Sequence, residues 1–261
     1  MTLTGTWANE YGSLMSLSVS GDKITGVYKS STGSTGEYVV SGWQTDAEPT
    51  EGAGQVVCLA IDWHSVEGDQ QDASWNWVSA LGGQLSIIQG EENLILNHLM
   101  VASSDFEGVA NTGVYIDKLA YHRVETASEN PRGKQLNKAK TADPLTGRWN
   151  AADGTTLLVS VIPDSEARFG YISGTLTITN NEMTISGFTD INAASDGLQF
   201  QSVSIVAKDS NKNITRALGG WIELTTSELS LQMLSNHITT VDTIYTQTDI
   251  RSLQFKKLTQ N

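Results

Sequence analysis

The chain has 261 residues, with 16 Lys and Arg against 29 Asp and Glu, and a net charge of −13. That balance excludes a basic nucleic-acid surface as the main design. The single cysteine, Cys58, excludes an intrachain disulfide framework. With 24 glycines, 4 prolines and no sustained helical stripe of apolar residues, the composition points to short strands joined by glycine turns, an all-β class.

The chain opens on Leu3-Thr4-Gly5-Thr6-Trp7, followed by Ala8-Asn9-Glu10-Tyr11-Gly12-Ser13. Met1-Thr2 leads straight into this motif without a signal peptide, as expected of a cytoplasmic protein or of a secreted one whose leader has been removed. No apolar run reaches membrane length. Met15 to Val19 alternates like a strand with one buried face, and Ser20-Gly21-Asp22-Lys23 turns it into a second strand, Ile24 to Ser30. The small-residue loop Ser31 to Gly36 resembles a phosphate cradle, but no helix follows it. Tyr38 to Trp43, Val56 to Trp63, a pair of strands around Ala80-Leu81-Gly82-Gly83, Leu94 to Val101 and Val114 to Val124 complete one unit. Val57-Cys58-Leu59 places the cysteine in an apolar strand, where it reads as structural. About eight consecutive strands joined by short or polar loops predict an up-and-down antiparallel barrel, which has room for one small ligand.

The pattern then repeats. Leu145-Thr146-Gly147-Arg148-Trp149 returns the opening motif 142 residues after Leu3. That spacing is domain-sized and far longer than a solenoid period. Ile172-Ser173-Gly174 answers Ile24-Thr25-Gly26, Ile185-Ser186-Gly187-Phe188 answers Val40-Ser41-Gly42-Trp43, and Ala217-Leu218-Gly219-Gly220 answers Ala80 to Gly83. The expected organisation is a barrel over residues 1–124, a polar linker over 125–144 carrying Arg132, Lys134, Lys138 and Lys140, and a second barrel over 145–261. The fold class is therefore all-β, with two tandem eight-stranded antiparallel barrels.

Nothing points to catalysis. His64, His98, His122 and His237 have no Cys or carboxylate partner at metal-ligand spacing, and no Gly-x-Ser-x-Gly elbow is present.

The first copy resembles the avidin and streptavidin family of biotin-binding barrels. The resemblance rests on Thr4-Gly5-Thr6-Trp7-Ala8-Asn9-Glu10-Tyr11-Gly12-Ser13, on Thr25-Gly26-Val27-Tyr28-Lys29-Ser30, on Ser41-Gly42-Trp43, and on Ile61-Asp62-Trp63 followed by Trp77. It implies that Asn9, Ser13 and Tyr28 hold the ureido oxygen of biotin and that Ser30 accepts a ureido N–H. An amide, a hydroxyl and a phenol are fitting donors for a carbonyl oxygen that gains negative character. It further implies that Trp63 and Trp77 wall the ring, that Thr32 and Ser34 lie in the loop over the valerate chain, and that Asp117 takes the second ureido N–H, with Leu119 the alternative two residues on. Taken singly, Asn9 also fits a turn residue, and Tyr28, Trp63 and Trp77 also fit barrel-filling aromatics.

Three departures stand out. With Trp77 as the wall, Trp75 occupies the place of a family threonine near the biotin sulfur, where it would narrow the pocket; with Trp75 as the wall, Ala73 takes that place. Leu99 is the nearest equivalent of a third family tryptophan, with His98 one register away. The tryptophan lent by a neighbouring subunit has no match between Ala102 and Tyr115.

The second copy keeps the scaffold and loses the ligand residues. Asn9 corresponds to Ala151, Ser13 to Thr155, Tyr28 to Leu176, Ser30 to Ile178, Trp63 to Ala207, Trp77 to Ile214 and Asp117 to Arg251. The expectation is a non-catalytic biotin binder without cofactor or metal, its second barrel packed on the first as a pseudo-dimer and able to form a homo-oligomer. The alternatives are an interaction or effector protein of toxin-like kind that no longer binds biotin, and a lipocalin-like carrier of another apolar ligand.

Overall fold

The computed structural model describes residues 3–30, 36–66, 73–106, 109–125, 143–209, 211–243 and 247–258. Residues 126–142 of the expected linker, with its four basic residues, lie outside that set. The first barrel comprises β1 (Gly5–Asn9), β2 (Leu14–Ser20), β3 (Lys23–Ser30), β4 (Gly36–Gln44), β5 (Gln55–Asp62), β6 (Val78–Ile88), β7 (Glu91–Ala102) and β8 (Gly113–Val124). The second comprises β9 (Gly147–Ala151), β10 (Thr156–Pro163), β11 (Gly170–Ile178), β12 (Asn181–Thr189), β13 (Phe200–Asp209), β14 (Ile214–Glu223), β15 (Glu228–His237) and β16 (Thr248–Lys257). Each set pairs antiparallel in chain order, and the last strand closes on the first. A short 3-10 turn, Ala73–Asn76, leads into β6. No helix among the described residues is long and apolar enough to cross a membrane.

The repeated opening motif plugs one end of each barrel. Trp7 and Trp149 are fully buried, and each indole N–H donates to the carbonyl of the motif leucine, Leu3 or Leu145, at 2.9 and 2.8 Å. A cation from the last strand lies over each ring, Arg123 over Trp7 and Lys257 over Trp149. The motif glycines, Gly5 and Gly147, have φ near +140°, a conformation closed to side-chain-bearing residues. This explains why Leu-Thr-Gly-x-Trp survives in both halves.

Two faces of β5 are buried at once. Val57, Leu59 and Ile61 point into the first barrel's core, while Cys58 and Ala60 point the other way into a seam shared with the second barrel. The seam gathers Val78, Ala80, Leu99 and Val101 against Phe169, Tyr171, Phe188, Val206, Ala217 and Leu234. A strand covered on both faces reads as a continuous apolar run, as Val56 to Ile61 does. Burial pushes the Cys58 thiol up to about 12, so it is inert. The repeated Gly-Gly pairs now have separate reasons. A Cβ on Gly219 would stand 3.3 Å from Ala80, Leu99 and Val101 across the seam. A Cβ on Gly83 or Gly220 would strike the neighbouring strand's backbone. Polar contacts fix the register of the seam: Ser202 Oγ donates to the Asn76 carbonyl at 2.6 Å, Ser204 Oγ to that of Ser79 at 2.7 Å, and Lys208 Nζ reaches Asp22 and Asp46.

Candidate functional site

The hairpin from β1 to β2 sets the first wall of a cavity. Gly12, at φ 81°, lets the Gly12 N–H return to the Asn9 carbonyl at 3.0 Å. The Asn9 side-chain oxygen accepts from the backbone N–H groups of Tyr11 and Ser13, at 3.1 and 3.0 Å. With its oxygen committed to the turn, Asn9 offers the cavity its amide nitrogen, a pure donor. The turn and ligand readings of Asn9 are therefore compatible. Ser13 follows at once, and Tyr28 comes from β3, where Met15 of β2 pairs with it in register. Burial raises the Tyr28 phenol, with partial relief from the Ser13, Asn9 and Tyr121 side chains, so it stays a protonated donor. Tyr121, on β8, is also raised by burial; its hydroxyl lies close to Asn9 and Tyr28 without a well-formed hydrogen bond.

These groups open onto a cavity of about 230 Å³ lined by Asn9, Tyr11, Ser13, Tyr28, Ser30, Trp63, His98, Met100, Tyr115, Ile116, Asp117 and Leu119. Trp63, just past β5, packs its ring against Tyr28 (centroids 5.9 Å apart) and Tyr38 (4.9 Å). Its indole N–H donates to Ser79 Oγ at 2.8 Å, and Ser79 Oγ lies 2.7 Å from His98 Nε2. Burial pulls the His98 imidazole down to about 4, against a partial upward pull from Asp117, so it is neutral at neutral pH. The exposed rim is Tyr11 and Ile116, 55% and 63% accessible.

Several expected positions fall elsewhere. Trp77 does not line this cavity. Its indole N–H needs an acceptor once buried, and it finds Ser104, Oγ at 2.8 Å and the carbonyl at 3.2 Å, while its ring meets Phe106 edge-on. Trp75 does not narrow the cavity either, because the 3-10 turn carries it onto His64, 4.1 Å between ring centroids. Leu99 faces the seam, so strand alternation gives the cavity to His98 and Met100. Asp117 and Leu119 share the inward face of β8: Asp117 is exposed at the mouth, opposite His98, and Leu119 is buried deeper. Thr32 and Ser34 lie outside the described residues. Sequence reasoning named His98 only as the register neighbour of Leu99, and it missed Ser79 and Tyr121. Of these two, Ser79 carried a usable signal, its place two residues past Trp77 on the same face as Leu81.

Residues 1–112 match the family model described as the avidin family. The match ends where β8 begins, and a second closed eight-stranded barrel of the same strand order follows it. The first barrel is avidin-like, and the second repeats its architecture. No curated protein matches it.

The second barrel keeps the turn of the avidin-like one and changes its side chains. Gly154, at φ 86°, returns its N–H to the Ala151 carbonyl at 3.1 Å, as Gly12 does to Asn9. Ala151 and Thr155 stand where Asn9 and Ser13 stand, and Leu176, in the place of Tyr28, packs into the core. Strand pairing corrects one equivalence. Gly42 pairs with Leu59 and Gly187 with Ile205, so the counterpart of Trp63 is Asp209, two residues beyond Ala207. The same registers put Arg216 at Ser79, Met233 at His98 and Arg251 at Asp117. Asp209 is 1% exposed, and its nearest cation is Arg216 at 3.9 Å. Arg251 pairs with Asp153 at 2.9 Å. The strand link at Thr179-Asn180, both with positive φ, is a tight hairpin turn where the first barrel carries residues 31–35.

Proposed function

We propose that the first barrel binds biotin, or a cyclic urea like it, without chemistry, and that the second barrel is its structural partner and has no biotin site. The observation that carries the reading is the gathering of Asn9, Ser13 and Tyr28 on one wall of a cavity whose other wall is the Trp63 ring. Three preorganised donors suit a carbonyl oxygen, and an indole face suits an apolar bicycle. Ser30, at the end of β3, is placed to accept a ureido N–H, and Asp117 stands at the mouth on the opposite wall. In the second barrel a ureido group would surrender its water for Ala151, Leu176 and Ile178, which return no hydrogen bonds. The reading as an effector that lost its ligand leaned on Trp75 obstructing the pocket and on the tryptophan missing between Ala102 and Tyr115; of these, the first falls away, because Trp75 packs on His64 instead. Titration with free biotin, followed by tryptophan fluorescence and calorimetry, tests the proposal. One site per chain is expected, weakened about tenfold by Tyr28→Phe, the worth of one buried hydrogen bond. Absence of binding at micromolar protein overturns it.

A further inference from the structure

Resting on the reading of the cavity as a cyclic-urea site, we propose that His98 is a specificity-determining residue that presents an Nδ1–H donor to the ring edge opposite the ureido group, so that the cavity favours a ligand with a hydrogen-bond acceptor there, such as the S-oxide of biotin over biotin itself. The Trp63–Ser79–His98 chain fixes the imidazole. An indole N–H can only donate, so Ser79 Oγ accepts from Trp63. Ser79 is fully buried and has one hydrogen to place. Given to His98 Nε2, 2.7 Å away, that hydrogen is satisfied and the imidazole proton is at Nδ1. The reverse arrangement leaves a buried hydroxyl hydrogen without an acceptor, which is the costly outcome. The low affinity of His98 for a second proton keeps this neutral tautomer at neutral pH.

The direction follows from Trp63. One side of its ring meets Tyr28, which belongs to the donor wall, and its N–H side leads to Ser79 and His98. A fused bicycle lying on that indole with its urea oxygen at Tyr28 turns its far edge, the sulfur of biotin, toward His98. A thioether is a weak acceptor, whereas a sulfoxide oxygen is a strong one. Asp117, directly across from His98 on β8, accepts the Lys118 N–H at 2.7 Å.

Biotin and both diastereomers of its S-oxide are titrated into the wild-type chain and His98→Phe. The wild type is expected to bind one S-oxide about five- to tenfold more tightly than biotin, one neutral hydrogen bond's worth, and His98→Phe to erase that ratio. Nitrogen-15 NMR of the histidines should show His98 protonated at Nδ1, and Ser79→Ala should give a mixture of tautomers with a reduced ratio. The Ser79→Ala titration and the NMR signature decide the matter if His98→Phe does not fold. Biotin binding with the same S-oxide ratio in wild type and variants, or a His98 proton at Nε2, overturns this inference and leaves the biotin reading standing. Binding of neither ligand overturns both.

Discussion

Asn9 does two jobs with two different atoms, and chemistry can separate them. Its oxygen closes the β1–β2 turn, and its nitrogen faces the cavity. Asn9→Asp keeps an acceptor for the Tyr11 and Ser13 N–H groups and replaces the donor by an oxygen. Asn9→Ala removes both. We expect Asn9→Asp to lose biotin affinity by roughly a hundredfold, since an acceptor then opposes the ureido oxygen, with a smaller fall in Tm than Asn9→Ala. The alanine variant should lose about 1–2 kcal/mol of stability as well, because two backbone N–H groups lose their partner. Calorimetric melting beside biotin titration separates the two. Equal Tm values for the two variants would mean that the turn does not depend on the Asn9 oxygen.

Among elements, the central strands explain both the stability of the pair and the errors of sequence reading. Gly219 stands where a Cβ would meet Ala80, Leu99 and Val101 at 3.3 Å. Gly219→Val adds further methyl groups to a seam already at contact distance. A loss of about 1–3 kcal/mol is expected, from overpacking that the two rigid sheets relieve only by moving apart. A drop of several degrees in the Tm of the full chain checks this, and an unchanged Tm would show the seam to be slack. The fold itself was legible because its signals are local. The plug motif, the Gly-Gly pairs and the alternation of Met15 to Val19 each depend on near neighbours. Asn9, Ser13, Tyr28 and Ser30 were legible for the same reason, since they sit on the first three strands with short turns between them. Legibility stopped at β5 to β7. There the outward face is buried against the second barrel, so both faces are apolar and alternation no longer marks the inside. Leu99 and His98 could not be told apart on that basis. Trp75 lies in the 3-10 turn and Trp77 just past it, where strand alternation gives no guide and Ser104 holds the Trp77 indole. The displacement of the Trp63 counterpart from Ala207 to Asp209 arises before β5, because Gly42 pairs with Leu59 but Gly187 with Ile205, so the connection from β12 to β13 is longer than that from β4 to β5.

On the scale of the whole molecule, the seam buries acid as well as apolar surface. Asp62, at the end of β5, is 1% exposed and accepts the His64 N–H at 2.9 Å. Across the seam Asp190 is held by Asn76 and the Asn192 N–H, and Asp164 pairs with Arg168 at 2.8 Å. Burial raises the Asp62 carboxyl well above its usual range, and nearby Asp190 and Asp164 add to the rise while Arg168 opposes it. Burial likewise lifts Asp190 to about 6. A carboxyl whose folded pKa exceeds its unfolded one contributes stability at low pH, and that contribution is lost as pH rises through the folded value. His64 and His98 act in the opposite sense. Both are pulled down to about 4 by burial, so the unfolded chain takes up protons below about 6.5 that the folded chain refuses. The raw pH profile of the wild type therefore mixes two opposing trends. The difference between wild type and Asp62→Asn does not, because the histidines, Asp190, Asp164, Asp196 and Arg168 are present in both chains. Asparagine keeps the acceptor for the His64 N–H and never ionises. The variant's Tm should gain on that of the wild type as pH is raised from about 4 toward neutrality, where the unfolded chain has released this proton and burial makes the folded chain hold it. Scanning calorimetry of both chains across that interval measures the gain. A constant difference would place Asp62 in contact with enough water to ionise at its ordinary pH, and the acidic side of the seam would then be open rather than closed.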